Sequence, residues 1–411
     1  MREQKFFSRF RPARTETPNL VAAQVDSFDW LLSEGFKETF KEFTPIRDYS
    51  GKKFDLEFVK IEMGEPKYDE HYAKANKLSL DVPVRAVVRL KNKAQGTEKE
   101  QEIFLADFPV MTTHGTFIIN GVERVIVPQL ARSYGVFFTA EELKGKRHFG
   151  AKVIPSRGAW IEIETDADGM LWVRIDRKRK FPASTLLRVM GAHFDSDLKS
   201  LFSGSPEEKK WIEASIEIDP AKTVEDAYIE IHKRLRDGDL ATANNAKEYI
   251  NSIFSEERYD LSRVGRFRFN QRFNKSLDEK ELIRRTLSLD DLVLVLKNVI
   301  TLENDPEAME DNIDHLGSRR VRYVGEMLQS RIRVGLTHMK RNIQDRMSTI
   351  DVDATLPVMF VNPRPLQARI KEFFTTNQLA QFMQQTNALE EIEHLRTLSA
   401  CLLYTSDAAD E

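Results

Sequence analysis

The run GTFIINGVERVIV, Gly115 to Val127, places Asn120-Gly121 between two β-rich stretches. Asn-Gly supplies the left-handed residues that a two-residue turn needs, so the spacing predicts a tight hairpin with a fixed register. A second hairpin is predicted over Ala159 to Asp176, where WIEIET and MLWVRID alternate across Asp166-Ala167-Asp168-Gly169. That tetrad has the opening of a calcium loop, but Met170 stands where a ligand is expected, so it reads as a turn. Upstream, Phe54, Leu56 and Phe58 alternate, the chain turns at Gly64-Glu65-Pro66, and Val82, Val84, Ala86, Val88 and Leu90 alternate again.

Elsewhere the period becomes helical. Pro18 to Phe36 spaces Leu20, Ala23, Phe28, Leu31 and Leu32 as one helix face, and residues from about 181 to 318 read as mainly helical. The longest stripe, Val321, Val324, Leu328, Ile332, Leu336, Met339, Ile343 and Met347, predicts a single long helix, and Pro365 to Met383 reads as another helix-rich stretch. Arg263, Arg266, Arg268 and Arg272 alternate with Phe267, Phe269 and Phe273, which reads as a half-buried strand, with base stacking as the functional alternative. Strand-rich and helix-rich blocks in succession define a multidomain α+β chain.

A length of 411 residues corresponds to two to four domains at roughly 100 to 200 residues each. Lys plus Arg number 62 against 65 Asp plus Glu, a formal charge of -3, which excludes a histone-like polycation while allowing local patches. The single cysteine, Cys401, excludes a disulfide framework and a zinc site of clustered thiolates, and suits a reducing cytosol. The greasiest run, Leu287 to Ile300, is broken by Asp290, Asp291 and Lys297, and the basic leader 1–17 has no continuous apolar segment. A soluble, cytoplasmic protein without a membrane partner is expected.

Between Ser318 and Met347, Arg319, Arg320, Arg322, Arg331, Arg333, Lys340, Arg341 and Arg346 face only Glu326 and Asp345. On a helix, Arg322, Arg333 and Lys340 would share a flank suited to phosphates. The alternative is a solvated face paired with the acidic run Glu303, Asp305, Glu307, Glu310, Asp311 and Asp314. Further basic segments are Lys144, Lys146, Arg147 and Lys152, and Arg177 to Lys180 near Trp160 and Trp172. Asp311, Asp314 and His315 are the best metal candidates, yet no His pair stands at i, i+4, and no phosphate loop or nucleophile elbow occurs. Two readings independent of any relative are thus a stand-alone nucleic-acid-binding module using the basic helix 319–346, and a small metal-dependent hydrolase.

The stretches PNLVAAQVDSF, GTFIINGVERVIVPQLARSYGVFF, YDLSRVGRFRFN, IDHLGSRRVRYVGEMLQSRIRVGL and KEFFTTNQLAQFMQQTNALEEIEHLRTLSA together resemble the N-terminal part of the bacterial DNA-directed RNA polymerase β subunit. The resemblance implies a protrusion domain in two halves, 1–126 and 325–376, interrupted by an inserted lobe at 127–324. Residues 377–400 would open the fork region. It further implies the upper jaw of a cleft for DNA and the RNA:DNA hybrid, with the remaining β chain, β′, α, omega and sigma as partners. It implies a nucleoid-associated enzyme whose catalytic magnesium is held by β′, so this segment carries no cofactor and no catalytic residue of its own.

By the same resemblance, Arg132, Gln378, Leu379, Gln381, Phe382, His394 and Ser399 match positions lining the rifamycin pocket beside nascent RNA. The chain departs from the family at Gln384, usually Asp, at Thr397, usually Arg, and at Ala388, often Pro. Those changes remove a carboxylate and a guanidinium from the pocket and imply weakened rifamycin sensitivity. Lys152, Asp314 and Arg319 match lobe positions associated with the non-template strand, with an Asp314–Arg319 ion pair as the alternative, and Arg341 is a further nucleic-acid candidate. After RTLSA the string CLLYTSDAADE, 401–411, departs from the family's Gly- and Pro-rich loop and reads as translated sequencing-adaptor read-through. Without it the formal charge rises from -3 to 0, since Asp407, Asp410 and Glu411 go with it, and no cysteine remains.

Overall fold

The computed structural model describes residues 18–400 apart from 94, 144, 167–168, 237, 240–241 and 351–355. The basic leader 1–17, Lys144, Ala167, Asp168 and the stretch 401–411 with Cys401 lie outside the described residues. The described residues form two compact units, one drawn from 18–131 with 321–400 and the other from 132–320.

In the first unit an antiparallel sheet runs in the order Ile46–Arg47, Phe54–Met63, Asp81–Asn92, Thr97–Pro109. Val82, Val84, Ala86, Val88 and Leu90 all point to its buried face, as their alternation demands. The helix Val324–Thr349 joins the same core through Val324, Leu328, Ile332, Leu336, Met339, Ile343 and Met347. It starts at Val324, not before. Arg319–Arg322 is a strand, so Arg319, Arg320 and Arg322 are not on the helix as the stripe from Val321 suggested. The start is fixed by close contact: the Gly325 amide donates to Ser27 Oγ at 3.1 Å, and a Cβ at Gly325 would lie 2.0 Å from the Ser27 carbonyl oxygen. The Pro18 to Phe36 stripe becomes Ala22–Trp30, a π turn at Leu31–Gly35, and Phe36–Glu42. Phenylalanine fills this core, with Phe28 edge-on to Phe117 at 5.3 Å and Phe36 edge-on to Phe108 at 5.0 Å.

The Asn120-Gly121 hairpin pairs Phe117–Ile119 with Val122–Ile126, and both turn residues have positive φ, 52° and 79°. Only glycine fits the second position, because a Cβ there would meet Lys77 Cα at 2.6 Å. The stretch expected to be helical to Met383 divides instead. Arg364–Thr376 is helical, while Ala380–Phe382 is a strand added to the hairpin through Val122–Ile126.

In the second unit five antiparallel strands run in the order Phe181–Pro182, Leu171–Ile175, Ile161–Thr165, Lys146–Ile154, Gly135–Leu143. Helices from the segment 183–304 share its core, chief among them Leu289–Asn304, which a Ser288–Asp291 capping box begins. Residues 262–272 form a helix where the Arg/Phe alternation suggested a strand. The inward set is Gly265, Arg266, Phe269 and Asn270, a helical spacing, while Phe267 faces out. Arg266 is 2% exposed, and its guanidinium bonds Asp291 Oδ2 at 2.9 Å and the carbonyls of Arg284 and Thr286. Lys275 Nζ takes Asp291 Oδ1 at 2.8 Å.

Three of the six residues of the acidic run are spent inside this unit. Glu303 accepts from the Phe149 amide at 2.7 Å and from Thr165 Oγ1 at 3.1 Å, and faces His148 Nδ1 at 3.0 Å. Glu310 pairs with Arg147, and Asp311 accepts from the Phe138 amide and from Arg272.

Candidate nucleic-acid interface

On the long helix most cations are already occupied. Arg333 is gripped by both oxygens of Glu42 at 2.9 and 3.1 Å, Lys340 stands over the Phe43 ring at 6.0 Å, and Arg346 donates to the Met359 carbonyl. Arg322, off the helix, lies 3.4 Å from Glu326. The expected phosphate-gripping flank of Arg322, Arg333 and Lys340 is therefore not formed. Arg341 is exposed.

In the second unit Lys152 lies mid-strand directly across from Glu162, with Nζ 3.7 Å from its carboxylate. Asp314 is exposed in a turn ordered by Asn312, whose Oδ1 accepts the amides of Asp314 and His315 at 3.1 Å each. The His315 Nδ1 accepts the Gly317 amide, and Arg268 donates to the Gly317 carbonyl at 2.7 Å. Arg319 opens the strand that follows, and Arg320 stacks on Tyr134 at 4.4 Å while bonding its hydroxyl. Arg177 lies over Trp160 at 5.5 Å and Lys180 over Trp172 at 4.7 Å, so the two ends of the basic tetrad each stand over an indole. Asp176 accepts from the Trp160 amide, and burial raises its carboxyl above the usual range. The metal reading is not supported: Asp311 is spent on the Phe138 amide and Arg272, and among the described residues no group of three His, Cys, Asp or Glu side chains could hold a metal ion.

The 377–400 segment is built on the hairpin of the first unit. Ala380, Gln381 and Phe382 pair with Ile126, Val125 and Arg124, and Leu379 is buried. Phe382 is 62% exposed with Arg124 over its ring at 4.5 Å. The helix Ala388–Arg396, capped by Asn387, returns His394 to this strand. The His394 Nδ1 accepts the Gln384 amide at 3.3 Å, so Nε2 carries the proton and donates to Gln381 Oε1 at 3.1 Å. Burial lowers the imidazole pKa, in keeping with this neutral tautomer. Gln381 in turn donates to the Gln378 carbonyl, Thr397 Oγ1 donates to the Glu393 carbonyl, and the Ser399 amide donates to the Pro128 carbonyl. Gln378, Gln381, Gln384 and His394 are thus brought together, whereas Arg132 is the first residue of the other unit. Sequence reasoning missed Glu123, which binds both Gln385 and Lys74 and so ties this segment to the hairpin. Nothing in its spacing marked it.

Residues 132–322 match the family model RNA polymerase Rpb2, domain 2. Both units are covered by similarity to DNA-directed RNA polymerase subunit beta of Syntrophomonas wolfei, 40% identical over 387 residues, which is 94% of this chain and 34% of that protein. The subunit beta of Synechococcus elongatus is 42% identical over 398 residues, 96% of this chain and 35% of its own length. The chain belongs to the family of bacterial DNA-directed RNA polymerase β subunits. It spans about a third of the length of the curated relatives it matches.

Proposed function

We propose that the chain acts as the N-terminal part of a β subunit in DNA-directed RNA polymerase, a nucleotidyltransferase, and forms the upper jaw over DNA and the RNA:DNA hybrid. The observation that carries this reading is identity of about 40% sustained across 94% of the chain. In this reading 1–126 and 325–376 are the protrusion, 127–324 the lobe and 377–400 the start of the fork. The remaining β chain, β′, α, omega and sigma complete the enzyme on the nucleoid. The reaction's magnesium belongs to β′; Asp291 and Asp311 here are committed to Arg266 and Arg272 and do not fit that role.

Lys152, Asp314 and Arg319 contact the non-template strand, and Arg341 contacts nucleic acid backbone. Arg132, Gln378, Leu379, Gln381, Phe382, Gln384, His394, Thr397 and Ser399 border the nascent RNA and the rifamycin pocket. With both imidazole nitrogens occupied, His394 works there mainly by holding Gln381 and the Gln384 turn. The stand-alone module is disfavoured because the helix spends Arg333, Lys340 and Arg346 on its own unit. The test is a hybrid subunit in which residues 18–400 replace the matching third of the Synechococcus elongatus protein. Promoter-dependent RNA synthesis by the reconstituted hybrid is expected; a hybrid that assembles but makes no RNA refutes the reading.

A further inference from the structure

The loop between Ile46–Arg47 and Phe54–Met63 has no part in the function proposed above. Asp48 is buried there, and its carboxylate accepts the amides of Ser50, Lys53 and Phe54 and the Ser50 hydroxyl. Burial alone would raise its pKa; the hydroxyl and the three amides outweigh it and hold the group at about 2. The loop is therefore tied around its own buried acid.

It is seated on one turn of the long helix. The Gln344 amide donates to the Arg47 carbonyl at 3.0 Å, and the Tyr49 hydroxyl donates to Asp345 Oδ1 at 2.8 Å. Tyr49 is nevertheless 64% exposed, so a ring fixed at its hydroxyl end leaves a face open. Arg341 lies one turn before Asp345 on the same helix face, near enough for its charge to act on the Tyr49 hydroxyl. Arg47 and Lys52, two and three residues from Tyr49 along the chain, and Arg341 are exposed, while Asp345 is bound to the tyrosine itself.

We propose that Tyr49 is a stacking platform for an unpaired base of a single-stranded nucleic acid whose phosphates are held by Arg341 and Arg47. A pre-anchored ring loses little freedom when a base covers it, and the adjacent cations suit the phosphates that flank such a base. A base inside a duplex already has both faces stacked and cannot use the platform. The inference rests on the nucleic-acid reading of Arg341 given above.

Fluorescence anisotropy with the full 411-residue chain and a fluorescein-labelled twelve-residue oligothymidylate tests it. Tyr49→Ala should weaken binding roughly 5- to 150-fold, Tyr49→Phe should keep most of the affinity, and neither should alter the salt dependence. Arg341→Ala should reduce the slope of log affinity against log salt by about 0.7. A duplex of the same length should be indifferent to Tyr49→Ala. Wild-type affinity in Tyr49→Ala overturns the platform, as does equal loss in Tyr49→Phe, which would place the effect in the Asp345 bond. Absence of binding by the wild-type chain also overturns it. Loss with Arg341→Ala but not Tyr49→Ala removes the platform and leaves the jaw reading standing; no loss with either removes the nucleic-acid role of Arg341 as well.

Discussion

Replacing Asp291 by Asn should unfold the 132–320 unit far more readily than any surface change. The carboxylate is 1% exposed, faces Arg266, 2% exposed, at 2.9 Å and Lys275 at 2.8 Å, and also accepts the Ser288 amide that begins the helix Leu289–Asn304. Asparagine keeps a cap acceptor but leaves the Arg266 charge buried without its counter-charge. Breaking one side of such a pair costs about 3–5 kcal/mol, whereas removing both charges with apolar residues of similar size is often close to neutral. Arg266→Met with Asp291→Leu should therefore lie within about 2 kcal/mol of the wild type, the residue of the loss being the cap and the abandoned Arg284 and Thr286 carbonyls. Lys275 is 31% exposed and can return to water. The pH dependence carries the same signature. Burial would raise the Asp291 pKa, but Lys275 and Arg266 overturn that and leave it below the ordinary carboxylate value. A group depressed in the folded state contributes fully above its unfolded value, about 4, and loses that contribution as pH falls through the folded value. Urea unfolding read by tryptophan emission, with the two units fitted as separate transitions, measures both effects. Loss of under 1 kcal/mol in Asp291→Asn, or a double variant weaker than the single one, would refute the reasoning.

Gly325→Ala should destabilise the other unit by about 1–3 kcal/mol despite alanine's better helix propensity, because the clash with the Ser27 carbonyl is with backbone; denaturation of that transition decides it. The hybrid polymerase should resist rifamycin at concentrations that stop enzymes with Asp and Arg at positions 384 and 397, and Gln384→Asp with Thr397→Arg should restore inhibition in a transcription assay. Lys152→Ala and Arg319→Ala should each shorten open-complex lifetime on a promoter, by roughly 5- to 150-fold if a base contact of ordinary strength is lost, as competitor-challenge kinetics would reveal. Unchanged lifetime and start-site choice would remove those two residues from the interface.

Local chemistry was legible where one residue sets one geometry. Asn120-Gly121 announces its hairpin because few other residues accept two positive φ angles, and Val82 to Leu90 announce a strand because every second side chain is apolar. It failed where a charge is buried. Arg266 counts as polar in any pattern, so its inward place on a helix beside Phe269 was hidden until Asp291, 25 residues away, supplied the partner. The helix start at Val324 was equally hidden, since it depends on Ser27 across 298 residues. In the candidate site, the amide-rich composition of Gln378 to Gln384 was visible, but nothing local signals that His394 shares its two nitrogens between Gln384 and Gln381. Residue roles there came from resemblance to a family; the hydrogen-bond order came only from the fold.

The interruption of the first unit also sets a timetable. Its sheet ends at Pro109, but the helix Val324–Thr349, which supplies side chains to the same core, finishes only after the whole contiguous 132–320 segment. At ribosomal speeds of about 5–20 residues per second, those roughly 240 residues take on the order of 10–50 s to emerge. The inserted segment can complete its own core first, while the core around Val82, Val84, Val88 and Leu90 has the N-terminal helices, through Phe36 on Phe108 and Phe40 on Phe58, and waits for the rest. A nascent chain of this design is most exposed to aggregation and chaperone capture in its oldest part, and a pause between codons 321 and 349 would prolong that exposure.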